Sequence, residues 1–180
     1  HGVVVGINNL AGADGRIGVT WPFVVRKALQ ATTAAAALRC IVEAPLAGAH
    51  NYLILDASGE GYDVEAFPTV CHVTALTDAP LVHTNHCLVP DTEAVAQVRP
   101  ADSQAASEAR LARGYDLLRH RPVTTDDLIA LTRDDEAICV RPTPPKDVAT
   151  CGAFVAQPAT RELWAVRGLP SDGAFGRWVV

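Results

Sequence analysis

The chain has 180 residues, 49% hydrophobic and 19% charged, a globular composition long enough for one sizeable core and unlike that of a disordered segment. Its formal net charge of -5 argues against nucleic acid as the main partner, because phosphate recognition needs a basic face. No apolar run approaches the roughly 20 residues that span a bilayer and no signal-peptide pattern opens the chain, so a cytoplasmic location away from membranes is expected.

Gly2 to Asn9, rich in valine and isoleucine, predicts a buried strand. Gly12, Gly15 and Gly18 mark a loop with turn chemistry at Asp14-Gly15. Pro22 suits the first turn of a helix in which Phe23, Lys27 and Gln30 alternate with Val24, Val25, Ala28 and Leu29. A second helix is predicted from about Thr33 to Glu43, with Thr32 or Thr33 as cap and Pro45 and Gly48 beyond its end. The period then changes. Asn51 to Leu55 and Tyr62 to Phe67 read as two strands of a hairpin around Ala57-Ser58-Gly59-Glu60. Val70 to Ala75 and Leu81 to Asn85 predict two more short strands, before a polar connection with Pro90 and Pro100. Ser103 to His120 predicts a helix capped by Ser103 or Asp102, and Thr125-Asp126-Asp127-Leu128 opens another with carboxylates at its positive end. Ala137 to Val140 predicts a strand and Pro142, Pro144 and Pro145 a stiff loop. Thr150 to Ala156 and Glu162 to Val166 predict a last hairpin around Pro158-Ala159-Thr160. Hairpins exclude an all-parallel sheet. The class is α+β, with either two antiparallel sheets flanked by helices or one sheet with helices on one face.

The five cysteines, Cys40, Cys71, Cys87, Cys139 and Cys151, are odd in number and form no CxxC pair. They read as reduced, mainly buried thiols. The sequence contains no methionine, and His1 opens directly on a predicted strand. The expectation is a single domain over residues 1–180 that is incomplete: a processed chain, a fragment or one part of a larger assembly.

The most informative segment is Leu81-Val82-His83-Thr84-Asn85-His86-Cys87-Leu88. If it is a strand, His83, Asn85 and Cys87 share one face and Thr84 and His86 the other. An asparagine held rigidly at a strand end suits an oxyanion hole, whose donors must already face the developing charge; the alternative is a backbone hydrogen bond at the strand end. His83 and His86 on opposite faces make a shared metal ion a poor reading, and none is expected. Cys87 or Cys151 is either a nucleophile or an inert buried thiol. Asn8-Asn9 and His50-Asn51 stand at strand ends, where they cap a sheet edge or reach a pocket. The loop from Gly12 to Gly18 lacks the Lys-Ser/Thr of a phosphate loop, and Asp126-Asp127 and Asp134-Asp135-Glu136 read as solvated helix charges. Asn85 is the candidate catalytic residue; Asn8, His50 and His83 are candidate substrate-binding residues.

The segment Leu81 to Leu88 resembles the signature of the acyl-coenzyme A:isopenicillin N acyltransferase family. Gly2-Val3-Val4-Val5-Gly6-Ile7-Asn8-Asn9-Leu10 resembles its Gly-Val-x-Val…Asn strand, and His50-Asn51-Tyr52 through Asp56-Ala57-Ser58-Gly59-Glu60 to Glu65 its central hairpin. The similarity is good from His1 to about Leu88 and loose from Asp102 to Val180. It implies an N-terminal-nucleophile fold of αββα layers, of which this chain is the C-terminal portion. Such enzymes are made as precursors that cut themselves before a cysteine. The new α-amino group serves as base for its own thiol, the thiolate attacks an amide or thioester, and an amine or water takes the acyl group.

On this resemblance Asn85 matches the asparagine that holds the oxyanion, and Asn8 a strand position near the pocket. The cleavage site lies upstream of the part matched by His1, which is itself no nucleophile of this class. A second chain carrying the N-terminal cysteine, or self-association, is therefore expected. No cofactor is implied, and acyl-coenzyme A is a candidate substrate. The family's arginine just before the strand matching Ala149-Thr150 is replaced here by Pro145-Lys146-Asp147-Val148, so penicillin chemistry does not carry over. Two other readings stand beside this one: a non-catalytic binding or scaffolding relative of the same fold, and a hydrolase using Cys87 or Cys151 directly.

Overall fold

A computed structural model describes residues 2–120, 122–144 and 147–180. His1, and Pro145 and Lys146 from the stretch expected to form a stiff loop and to replace the family's arginine, lie outside the described residues. The chain divides into two compact units, one ending at Ser107 and the other beginning at Glu108.

The first unit is built on an antiparallel sheet of four strands, β1 (Val3–Asn9), β2 (His50–Asp56), β3 (Gly61–Ala66) and β4 (Cys71–Ala75), in that spatial order. Two helices, α1 (Trp21–Ala28) and α2 (Ala34–Val42), connect β1 to β2. They pack on one face of the sheet. Val24, Ala28, Ala34, Ala37 and Ile41 meet Tyr52, Ile54, Val64 and Ala66, with Val3, Val5 and Ile7 from β1 completing the core. Ala34 and Ala37 are fully buried, and their small side chains let α2 approach the strands closely. Thr33 caps α2 by accepting from the Ala36 N–H at 3.2 Å, and Pro22 stands in the first turn of α1.

Because successive strand residues face opposite ways, the register fixes what the other face carries. Asn8 pairs with Asn51, Asn51 with Glu65, and Glu65 with His72, so these four form one row across the sheet. Asp63 stands on the same face, two residues from Glu65. The helix-covered face is apolar; this face presents a polar row.

Three expectations about elements are corrected. Leu81 to Asn85 is irregular rather than a strand, because its backbone and side chains are held by side chains from distant positions instead of a neighbouring strand. Ala137 to Val140 is a series of turns: Asp134 accepts from the Ala137 N–H at 3.0 Å and the Cys139 N–H meets the Asp134 carbonyl at 2.7 Å. Helix α4 (Ala101–Leu117) begins earlier than expected, with Ser103 and Gln104 already donating to the Pro100 carbonyl, so neither Asp102 nor Ser103 is its cap. A short helix, α3 (Pro90–Glu93), lies within what reads as a polar connection.

The second unit contains α5 (Thr125–Thr132) and a three-stranded antiparallel sheet of β5 (Gly152–Gln157), β6 (Glu162–Arg167) and β7 (Gly176–Val179). Thr124 and Asp127 form a capping box at the start of α5. Strand β7 follows the expected last hairpin and has too few residues for a clear alternation. Together the two sheets make the chain a mixed α+β protein with antiparallel sheets.

Candidate functional site

The polar face of the first sheet is tied to the segment from His83 to Leu88. His83 Nε2 lies 2.9 Å from Glu65 Oε1, and its Nδ1 lies 2.9 Å from the Thr84 carbonyl oxygen. Both partners are acceptors, an arrangement that favours hydrogen on both ring nitrogens. Glu65 also accepts from the Leu88 N–H at 2.5 Å and from the Thr92 hydroxyl. The pair is buried, with side-chain exposures of 0% for His83 and 3% for Glu65.

Burial alone disfavours both charges. For Glu65 that penalty is overcome by His83, Thr92 and the Leu88 N–H, which hold its carboxyl below the usual range. For His83 it is overcome by Glu65, Asp63 and the Thr84 carbonyl, which raise its pKa. Asp63 moves the other way: burial pushes it up, against the pull of His83 and of Asn51, whose amide donates to it. Asn51 in turn accepts from Asn8 Nδ2 at 2.9 Å, and the same Asn8 nitrogen lies 3.4 Å from the His83 carbonyl. One network therefore runs from Asn8 through Asn51 to Asp63, and from Glu65 through His83 into the segment that carries Asn85.

Asn85 is held from both its backbone and its side chain. Its N–H donates to Ser107 Oγ at 2.9 Å, and its Nδ2 donates to the Asn9 carbonyl at 3.2 Å. Ser107 is fully buried and lies within 3.0 Å of Thr84 Oγ1 and 2.8 Å of His86 Nδ1. Thr84 and His86 thus meet at one point, as the alternation suggested, although the segment is not a strand.

Asn85 borders a cleft of about 440 Å³. Leu10, His86, Cys87, Gln97 and Arg99 also line it. One wall is set by backbone pairing: Ala13 N–H donates to Val95 O at 2.9 Å, and Gln97 N–H to Ala11 O at 2.7 Å. Beneath it, Leu10, Ala49 and Phe67 form a small apolar cluster against which Cys87 packs.

Three of the four candidate residues come together: Asn8, His83 and Asn85 belong to one connected region. His50 does not join them. It neighbours Asn51 along β2 and so faces the helix side, where its ring lies 5.9 Å from that of Trp21 and 6.3 Å from that of Tyr52. Burial lowers its pKa, only partly offset by a backbone contact at Gly48. Cys87 lies in the cleft, but burial, helped by Glu65, pushes its thiol up to about 11, which keeps it protonated. Among the described residues no cluster of three His, Cys, Asp or Glu side chains is arranged to hold a metal ion.

Sequence reasoning missed the roles of Glu65, Thr92 and Ser107. Glu65 had a legible signal: Asp63 and Glu65 are two carboxylates at alternate positions of a strand that is otherwise apolar. Ser107, in the middle of a helix and far from any cap, had none.

A family model described as acyl-coenzyme A:6-aminopenicillanic acid acyl-transferase matches residues 1–172. No curated protein matches the chain.

Proposed function

The chain belongs to the acyl-coenzyme A:6-aminopenicillanic acid acyl-transferase family, which indicates acyl transfer in general, and from that premise we propose a cysteine N-terminal-nucleophile enzyme in which Asn85 donates to the oxyanion. The nucleophilic cysteine belongs to a segment outside these residues and is exposed by self-cleavage of a precursor. Its thiolate attacks the carbonyl carbon of an amide or thioester. The carbonyl electrons move onto oxygen, and collapse expels the amine or thiol to leave an acyl-enzyme. An amine or water then takes the acyl group. Acyl-coenzyme A is one such thioester donor.

The observation that carries this reading is the double anchoring of Asn85 at the cleft. Its backbone is fixed on buried Ser107, its amide on the Asn9 carbonyl, and its segment on the buried Glu65–His83 pair. An oxyanion donor must be in place before charge develops, because a donor that reorganises during the reaction gives back much of its gain. Asn8 and His83 take the supporting role in this reading, orienting the segment rather than touching the reacting atoms. The state of Cys87 supports a nucleophile elsewhere, since a thiol with a pKa of about 11 yields little thiolate at neutral pH.

The reading extends to the layers of the fold. In the first sheet α1 and α2 cover the apolar face, and the polar face meets the segment from His83 to Leu88 and the short α3. In the second, Phe154 and Trp178 stand on one face by register and are 54% and 52% exposed. A sheet with a pair of helices packed on its apolar face is the unit from which an αββα arrangement is made, and such apolar exposure suits association with a second chain or another copy.

Intact-mass measurement after mixing the purified protein with an acyl-coenzyme A thioester tests the proposal. A second polypeptide that begins with cysteine and carries the acyl adduct is expected. An adduct on Cys87, or a single polypeptide with no adduct that binds ligand without turnover, overturns it.

A further inference from the structure

The helix pair carries, on the side away from the sheet, a groove that acyl transfer does not use. The Val19–Leu46 bridge holds the start of α1 beside the end of α2, and Leu29 to Thr33 joins their other ends, so the two helices run antiparallel. The groove between them has a volume of about 670 Å³. Phe23 and Glu43 line one end of it. Lys27 and Arg39 line it one helical turn further along.

These four side chains are all exposed. Phe23 is 69% exposed, whereas its neighbour Val24 is buried in the core. Among the described residues the charged groups of Lys27, Arg39 and Glu43 form no ion pair or side-chain hydrogen bond, although Arg39 and Glu43 stand at i, i+4 on one helix. The groove thus presents both signs of charge, one turn apart, with an aromatic ring at its negative end.

That polarity selects the partner. A surface of one sign calls for a partner of the other sign. A surface with both signs in sequence calls for the same two signs in reverse order, which a two-fold axis supplies from the chain itself. Such an axis, across the groove between its two ends, lays the Phe23–Glu43 end of one copy on the Lys27–Arg39 end of the other. Ala36 lines the groove with only a methyl group, which leaves room there for an aromatic ring. The stems and cationic heads of Lys27 and Arg39 suit the faces of that ring.

We propose that this groove is an interface between two copies of the chain, in which Phe23 of each copy enters the groove of the other and Glu43 of each meets Lys27 and Arg39 of the other. The interface is independent of the role given to Asn85. It is also separate from any association through Phe154 and Trp178, which lie in the second sheet.

Sedimentation of the full chain over a range of micromolar concentrations at low salt tests it. Phe23→Ser should weaken self-association about tenfold or more, because an aromatic anchor is lost. Glu43→Lys alone and the double variant Lys27→Glu/Arg39→Glu alone should each weaken it at least as much, since each places like charges across the axis. An equimolar mixture of those two should recover association close to that of the parent, because opposite charges then face each other at both ends. All four positions are exposed, so thermal unfolding measured at dilution should be unchanged. A mixture that associates no better than its separate components overturns the two-fold pairing. A parent that stays monomeric overturns the interface altogether. Association that is unchanged in both Phe23→Ser and Glu43→Lys also overturns it, and leaves the second sheet as the contact surface.

Discussion

At the scale of single residues, the buried Glu65–His83 pair ties the segment that carries Asn85 to the first sheet. Removing one member of such a pair leaves an uncompensated buried charge, so His83→Ala should cost about 3–5 kcal/mol of stability. The pair also sets a pH dependence. His83 has a folded pKa above its ordinary 6.5, so its contribution is fully present below 6.5 and is lost as pH rises through the folded value. Glu65 has a folded pKa below its ordinary 4.5, so its contribution is present above 4.5 and is lost as pH falls through the folded value. Asp63, raised by burial, works against Glu65 on the acid side. Stability should therefore be greatest between those two ordinary values and should decline above pH 6.5. The thermal midpoint measured from pH 6.5 upward should fall in the parent and much less in His83→Gln; equal slopes would contradict the charged pair. These contacts were hard to see in the sequence because the partners stand 18 or more residues apart. Adjacency along the chain, by contrast, drew attention to His50, which the pleat turns to the opposite face from Asn51.

At the scale of elements, Asp56 joins three pieces of local structure. Its carboxylate accepts from the Ala34 N–H at 2.8 Å, at the start of α2, and from the Ser58 N–H and hydroxyl at 2.8 and 2.6 Å in the β2–β3 turn. These bonds, the Ser58 hydroxyl first, hold its pKa below the ordinary value. Asp56→Ala strands the Ala34 donor and should cost about 2 kcal/mol in urea unfolding, with Thr33→Ala at the cap of the same helix costing about 1 kcal/mol. An Asp56→Ala cost below that of Thr33→Ala would mean that the carboxylate does not tie helix to hairpin. Gly18 is constrained differently: a side chain there would meet the Pro45 carbonyl oxygen at 2.3 Å, beside the Val19–Leu46 bridge. Gly18→Ala should thus lower the thermal midpoint, whereas Gly48→Ala, with open space around it, should not. The β2–β3 hairpin, α1 and α2 were legible because alternation, Pro22, Thr33 and Gly59 are local signals, and Gly59 takes the positive φ of 90° its turn needs. The segment from Leu81 to Leu88 was not. Its apolar start resembles a strand, but the groups that satisfy its backbone are side chains of β1, β3 and α4, which no periodicity records.

At the scale of the whole molecule, the resemblance read from three short blocks is borne out by a family match over residues 1–172, which extends well past Leu88. What the blocks could not convey is that they meet in space. The strand carrying Asn8, the hairpin carrying Asn51 and Glu65, and the segment carrying His83 and Asn85 are one hydrogen-bonded region of the first unit. No helix among the described residues is long and apolar enough to cross a membrane. The exposed Phe154 and Trp178 lead us to expect association: sedimentation at low concentration should give a mass above 19.0 kDa, and a stable monomer would contradict the expected partner.

The central claim is that Asn85 holds the oxyanion during acyl transfer. The most direct test is the single-turnover rate of acyl transfer from an acyl-coenzyme A thioester, compared between the processed parent enzyme and its Asn85→Ala variant at matched thermal stability. The account predicts a rate lower by about two to three orders of magnitude. A rate within a few-fold of the parent, with the variant folded, would show that the amide at this cleft does not meet the developing charge.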